Sequence, residues 1–144
     1  MNLSNILKDY GLDPRRTKLV RHPLSNKRVK KVYGTEYFEA YQNMQSHQPV
    51  FDKCDYVLSF LGTTGTLAEF IGCFKVLDKI ENPDKRKLMP EGYPFPEEFD
   101  TGYYYKLVPD DKMSELIGKL VIDWGPSARS WHQWAKNEKL IVKR

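Results

Sequence analysis

Cysteine is scarce in this 144-residue chain: there are two, Cys54 and Cys73, with no CxxC pair and no histidine cluster beside them. Two isolated thiols in a domain of this size read as reduced core residues, which favours the cytoplasm and disfavours a zinc site. Long apolar runs are lacking as well. No stretch approaches the ~20 residues of a membrane-crossing helix, so no membrane partner is expected. The opening Met-Asn-Leu-Ser-Asn-Ile-Leu-Lys-Asp is too polar for a secretory signal. The HExxH, GxSxG and HxE…PCxxC patterns are missing, and Asp110-Asp111 reads as a turn. No cofactor and no metal are implied, and no intact catalytic motif stands out.

What is present begins with charge. The net charge of +4 is unevenly spread. Residues 1–31 hold nine Lys/Arg against Asp9 and Asp13, a local +7, while the other 14 basic and 17 acidic residues sum to −3. Arg15, Arg16, Arg21, Lys27, Arg28, Lys30 and Lys31 make a basic segment over 15–31. With His22, they are candidates for phosphate contact. A solvated surface is the competing reading.

The length suits a single domain over 1–144, with no repeat and no internal boundary. Leu3–Tyr10 reads as a short helix stopped by Gly11. Asp13-Pro14 opens an extended basic stretch through Lys31, with a turn at Ser25-Asn26. Thr35 is a candidate cap for a second helix over Glu36–Ser46. Tyr56–Leu61 and Glu69–Leu77, separated by Gly62-Thr-Thr-Gly-Thr66, read as a β-hairpin. That Gly/Thr loop lacks the spacing of a phosphate-binding loop. The four prolines within 81–100 predict an irregular loop. Further strands are expected at Tyr103–Val108, Lys119–Asp123 and Leu140–Lys143. The sum is an α+β fold: two N-terminal helices, a Pro-rich loop, and a small curved mixed β-sheet or barrel.

The densest constellation is Leu-Val-Ile-Asp-Trp-Gly-Pro-Ser-Ala-Arg-Ser-Trp-His-Gln-Trp, residues 120–134. Flat aromatic faces, polar heads and a cation together suit a planar, polar, anionic partner. Trp124 and Trp131 are candidates for stacking on a base. Asp123 and Gln133 are candidates for its edge, and Arg129 for phosphate or for a salt bridge to Asp123. Trp134 is assigned to the core. Tyr41 and Gln45, four apart on the second helix, would present a ring and an amide from one face. A small nuclease or hydrolase using His22, Asp55, Asp123 or His132 is the alternative. A defence-related adaptor contacting a protein through the Pro-rich loop is a third reading.

Several pieces resemble the N-terminal region of bacterial proteins that carry a GIY-YIG nuclease domain. They are Gly11-Leu-Asp-Pro, Leu19-Val-Arg-His, Tyr41-Gln, Asp55-Tyr-Val-Leu-Ser-Phe, Ala68-Glu-Phe-Ile-Gly-Cys-Phe-Lys-Val and Leu120-Val-Ile-Asp-Trp-Gly…Arg129-Ser-Trp-His-Gln. The hairpin containing Phe60 is also similar to PUA-like folds of the ASCH, EVE and SRA type, in which a small barrel holds a base in an aromatic-lined pocket. The resemblance implies a recognition domain, for DNA more than RNA, that senses a modified or flipped base and targets a nuclease partner or domain in restriction or defence. Phe60 would then line the base pocket. No GIY…YIG pair occurs, so nuclease activity is not carried over.

Overall fold

The computed structural model describes residues 2–23, 25–45, 51, 53–80, 87–101, 103–124, 132–136 and 141–143, with 78–80, 101, 132, 133 and 141 known by backbone alone. Helix α1, Leu3–Asp9, starts at Asn2, whose side chain accepts from the Asn5 N–H, and it buries Leu3 and Leu7 one turn apart. Gly11, at φ +76°, takes the left-handed conformation that ends it. A 3-10 turn over Pro14–Arg16 leads into β1, Thr17–Pro23. Burial along β1 is nearly continuous rather than alternating, as befits a strand covered on both faces.

Here the chain departs from the extended basic stretch expected through Lys31. Residues Lys27–Val32 form helix α2, because the Asn26 carboxamide accepts from the Arg28 and Val29 N–H groups and Val29 and Val32 share a buried face. Helix α3 is shorter than expected, Phe38–Asn43. Thr35 does not cap it. Its hydroxyl donates to the Val32 carbonyl and accepts from the Tyr37 N–H, which spends the group on a turn instead. Chain segment Met44–Gln45 is already a strand, β2.

The expected hairpin is present as β3, Tyr56–Gly62, and β4, Leu67–Ile80. Gly65, at φ +57°, turns it. A short helix α4, Glu98–Thr101, follows within the Pro-rich segment. Strands β5 (Tyr103–Asp110), β6 (Val121–Asp123), β7 (His132–Trp134) and β8 (Ile141–Val142) complete the set. Strand β7 takes up the last three residues of the Trp-rich 120–134 stretch.

One mixed sheet runs β2-β5-β4-β3-β1-β7, with β6 and β8 continuing from β4. Strands β1 and β3 pair in parallel; the other pairings among the described strands are antiparallel. One edge of β4 is shared by two strands: residues 67–69 pair with β6 and residues 73–80 with β5. That division, with register shifts at Ser59/Phe60 and Val76/Asp78, bends β4 and curls the sheet into a half-barrel. The fold is thus α+β with a small curved sheet, as expected.

Helix α1 covers one face, over Leu19, Leu58, Phe60, Phe70, Ile122 and Trp124. The other face carries Val20, Val57, Tyr105 and Leu107, and beside it α3 and α4 pack on Tyr104 through Ala40 and Phe99. Cys54 and Cys73 are buried and not joined to each other, and burial pushes the Cys73 thiol up to about 12.

Candidate functional site

Strand β6 separates the two residues on which the base-reading expectation leaned most. Ile122 and Trp124 both enter the core beneath α1, so Asp123 between them projects to the opposite side. Trp124 is 1 % exposed and packs edge-on against Phe60, their rings 5.9 Å apart. Phe60 is itself fully buried. In this conformation neither ring offers a face to a base; both are core. Asp123 stays half-buried at the hairpin end of the sheet, accepting from the Thr66 hydroxyl at 2.5 Å. Arg129 and Trp131 lie outside the described residues. Gln133 is placed by its backbone on β7, opposite Leu19, with three strands between it and Asp123. Trp134, on the same strand, is half-buried against the core with the Lys18 ammonium 4.6 Å over its ring.

Tyr41 and Gln45 do not share a helical face, because α3 ends at Asn43. Tyr41 packs among Phe38, Phe95 and His22, and Gln45 donates to the Gln42 carbonyl at 2.7 Å. Sequence reasoning missed the polar residues α3 does bring in. Gln42 reaches the sheet, where its carboxamide oxygen meets the His22 ring at 3.3 Å and accepts from the Ser59 hydroxyl. Asn43 donates to the Tyr104 hydroxyl at 3.3 Å. His22, Gln42, Asn43 and Ser59 are all buried, so His22 is not at a surface for phosphate. Ser59, the sole aliphatic hydroxyl in the apolar run Tyr56–Leu61, was the available signal.

The basic segment sorts into three environments. Arg16 makes a two-pronged ion pair with Asp55, at 3.1 and 2.9 Å, and this hydrogen bonding holds the Asp55 carboxyl below its usual range. Arg28 is likewise occupied, donating to Glu98 at 2.7 Å and Glu97 at 2.9 Å while lying over Phe95. Burial raises the Glu98 carboxyl despite that partner. Arg21 is withdrawn from solvent. Lys27, Lys30 and Lys31 remain exposed on α2, with Lys31 5.9 Å over Phe95.

Arg15 belongs to a different surface. It lines an open cleft of about 500 Å³ with Ser4, Lys8, Asp13, Pro14 and Lys136. Helix α1 brings Ser4 and Lys8 to one wall. The turn after β7 brings Lys136, because the Ala135 N–H donates to the Thr17 carbonyl and ties it to the start of β1. The Asp13 carboxylate accepts from the Arg15 backbone N–H, so the lone acid here is engaged with the main chain. Three cations from three separate segments therefore converge, and none forms an ion pair among the described residues.

Among the described residues no group of three or more His, Cys, Asp or Glu is placed to hold a metal, and no helix is long and apolar enough to cross a membrane. No family model, curated protein or solved structure matches the chain.

Proposed function

We propose that this chain is a nucleic-acid-binding module, for DNA before RNA, which holds the phosphate backbone through exposed cations at both ends of β1. The observation that carries this reading is the cleft of Lys8, Arg15 and Lys136, whose charges are unmatched by any ion pair among the described residues. Phosphate contact needs mobile, unpaired cations that release counterions on binding, and Lys27, Lys30 and Lys31 of α2 extend the same chemistry. The reading assigns Asp123, Arg129, Trp131 and Gln133 to the base, with Trp124 and Phe60 as the packed wall behind them. The targeted partner is a nuclease domain or subunit, as the resemblance in the 122–133 stretch implies.

The test is a titration of labelled duplex, modified and unmodified, over a range of salt. Affinity is expected to fall linearly on a log–log plot. Replacing Lys8, Arg15 and Lys136 together by Ala flattens that slope by about 2–3, near 0.9 per lost phosphate contact. Affinity that ignores salt, or a triple variant with the wild-type slope, sinks the proposal.

A further inference from the structure

Arg21 stands on β1 opposite Phe60 of β3, and its guanidinium lies against the backbone of Gly62 at the end of the hairpin. A Cβ on Gly62 would fall 2.6 Å from Nη2 and 2.7 Å from Cζ, so any side chain there would have to push the end of Arg21 aside. Arg21 is 9 % exposed. Yet among the described residues Nη2 donates only to the Gly65 carbonyl, at a long 3.4 Å, and the buried Nε–H has no partner. No carboxylate pairs with it among the described residues.

Burial alone pushes its pKa down, but a guanidinium keeps its proton in a protein. A desolvated, unpaired cation is among the most costly features a fold can carry. Arg16 and Arg28 show that this chain supplies carboxylates where an arginine needs them. The geometry points to an oxyanion subsite at Arg21, in which a phosphate group pairs with the Nη edge of the guanidinium beside the Gly62–Gly65 turn. Phosphate fits better than a carboxylate because α2 follows β1 directly and adds Lys27, Lys30 and Lys31 to the field at this end of the strand. The subsite stands apart from the nucleic-acid reading, since free phosphate and a nucleotide supply the same group.

Arg21→Met deletes the charge and keeps the apolar stem. The wild-type chain is titrated with inorganic phosphate, against KCl at matched ionic strength, while melting and the arginine Nε–H resonances are followed. In wild type, Tm rises with phosphate and saturates, and one Nε–H resonance that R21M lacks shifts in parallel. In phosphate-free buffer R21M melts about 3 °C higher than wild type, because the unpaired charge is gone, and it ignores phosphate. Gly62→Ala keeps the charge but displaces the guanidinium, and weakens saturation roughly tenfold or more. A nucleoside 5′-monophosphate run in parallel identifies the source: tighter saturation than inorganic phosphate marks a nucleotide, equal saturation the free anion. If R21M melts lower than wild type, or if R21M or Gly62→Ala responds to phosphate as wild type does, Arg21 is a structural arginine and there is no subsite. Loss of duplex binding with an intact phosphate response would overturn the nucleic-acid reading alone.

Discussion

Two arginines five residues apart, one just before β1 and one within it, solve opposite problems. Arg16 is exposed, and Asp55 matches it with two hydrogen bonds. Arg21 is buried, and among the described residues it makes one long hydrogen bond, to the Gly65 carbonyl. The pairing is best where it matters least, because an exposed ion pair is screened by water and salt. It is poorest where desolvation is most severe. The difference separates charge that decorates a surface from charge held in readiness.

The largest effect expected at the Arg21 end comes from the core beneath it. Trp124→Ala opens a cavity beside Phe60 and costs about 3–5 kcal/mol by denaturant titration. A variant that keeps full stability but loses duplex affinity would instead place Trp124 in a reading role. Next is Gly62→Ala, which costs about 1 kcal/mol by forcing the guanidinium aside. In the Arg21→Met background that cost should vanish, and a double-mutant cycle measures the coupling. A Gly62→Ala cost that survives in Arg21→Met means the strain lies in the backbone.

The smallest effect belongs to the Arg16 end. The Asp55 carboxyl is held low by hydrogen bonding to Arg16, so its contribution is full above the ordinary aspartate range and fades as pH falls through the lower folded value. Asp55→Asn should remove a shallow acid-side slope from a plot of stability against pH, lowering neutral stability slightly and leaving stability below the folded value unchanged. Glu98 acts with the opposite sign. Burial raises its folded pKa, so its contribution improves as the solution becomes acidic. A fall in stability on acidification that Glu98→Gln removes would contradict that assignment.

What the sequence revealed follows the range of the interactions. Helix α1 and the β3–β4 hairpin were legible because their signals are local: apolar spacing at Leu3 and Leu7, and a Gly/Thr turn between two apolar runs. The central place of β1 was not, since its neighbours β3 and β7 are remote in the chain and pairing with them buries both faces. For the same reason a run rich in Lys and Arg looked extended and solvated. Asn26 and the Val29/Val32 pair carried a helix signal within it that charge obscured. The inward turn of Trp124 was within reach of alternation: once Ile122 is core, Trp124 two residues later is core too. The cleft of Lys8, Arg15 and Lys136 was out of reach, because it needs the Ala135–Thr17 hydrogen bond to fold the end of β7 onto the start of β1.

The parallel pairing of β1 with β3 has a consequence for synthesis of the chain. Strand β1 is made before either of its neighbours: residues 24–55 must follow before β3 arrives, and β7 comes after residue 131. Until then the nascent chain displays a strand edge that can pair with the wrong partner, and closing contacts so distant in sequence is slow. The Lys and Arg residues bracketing β1 are well placed to repel another nascent chain during that wait, a service rendered before the protein has folded at all.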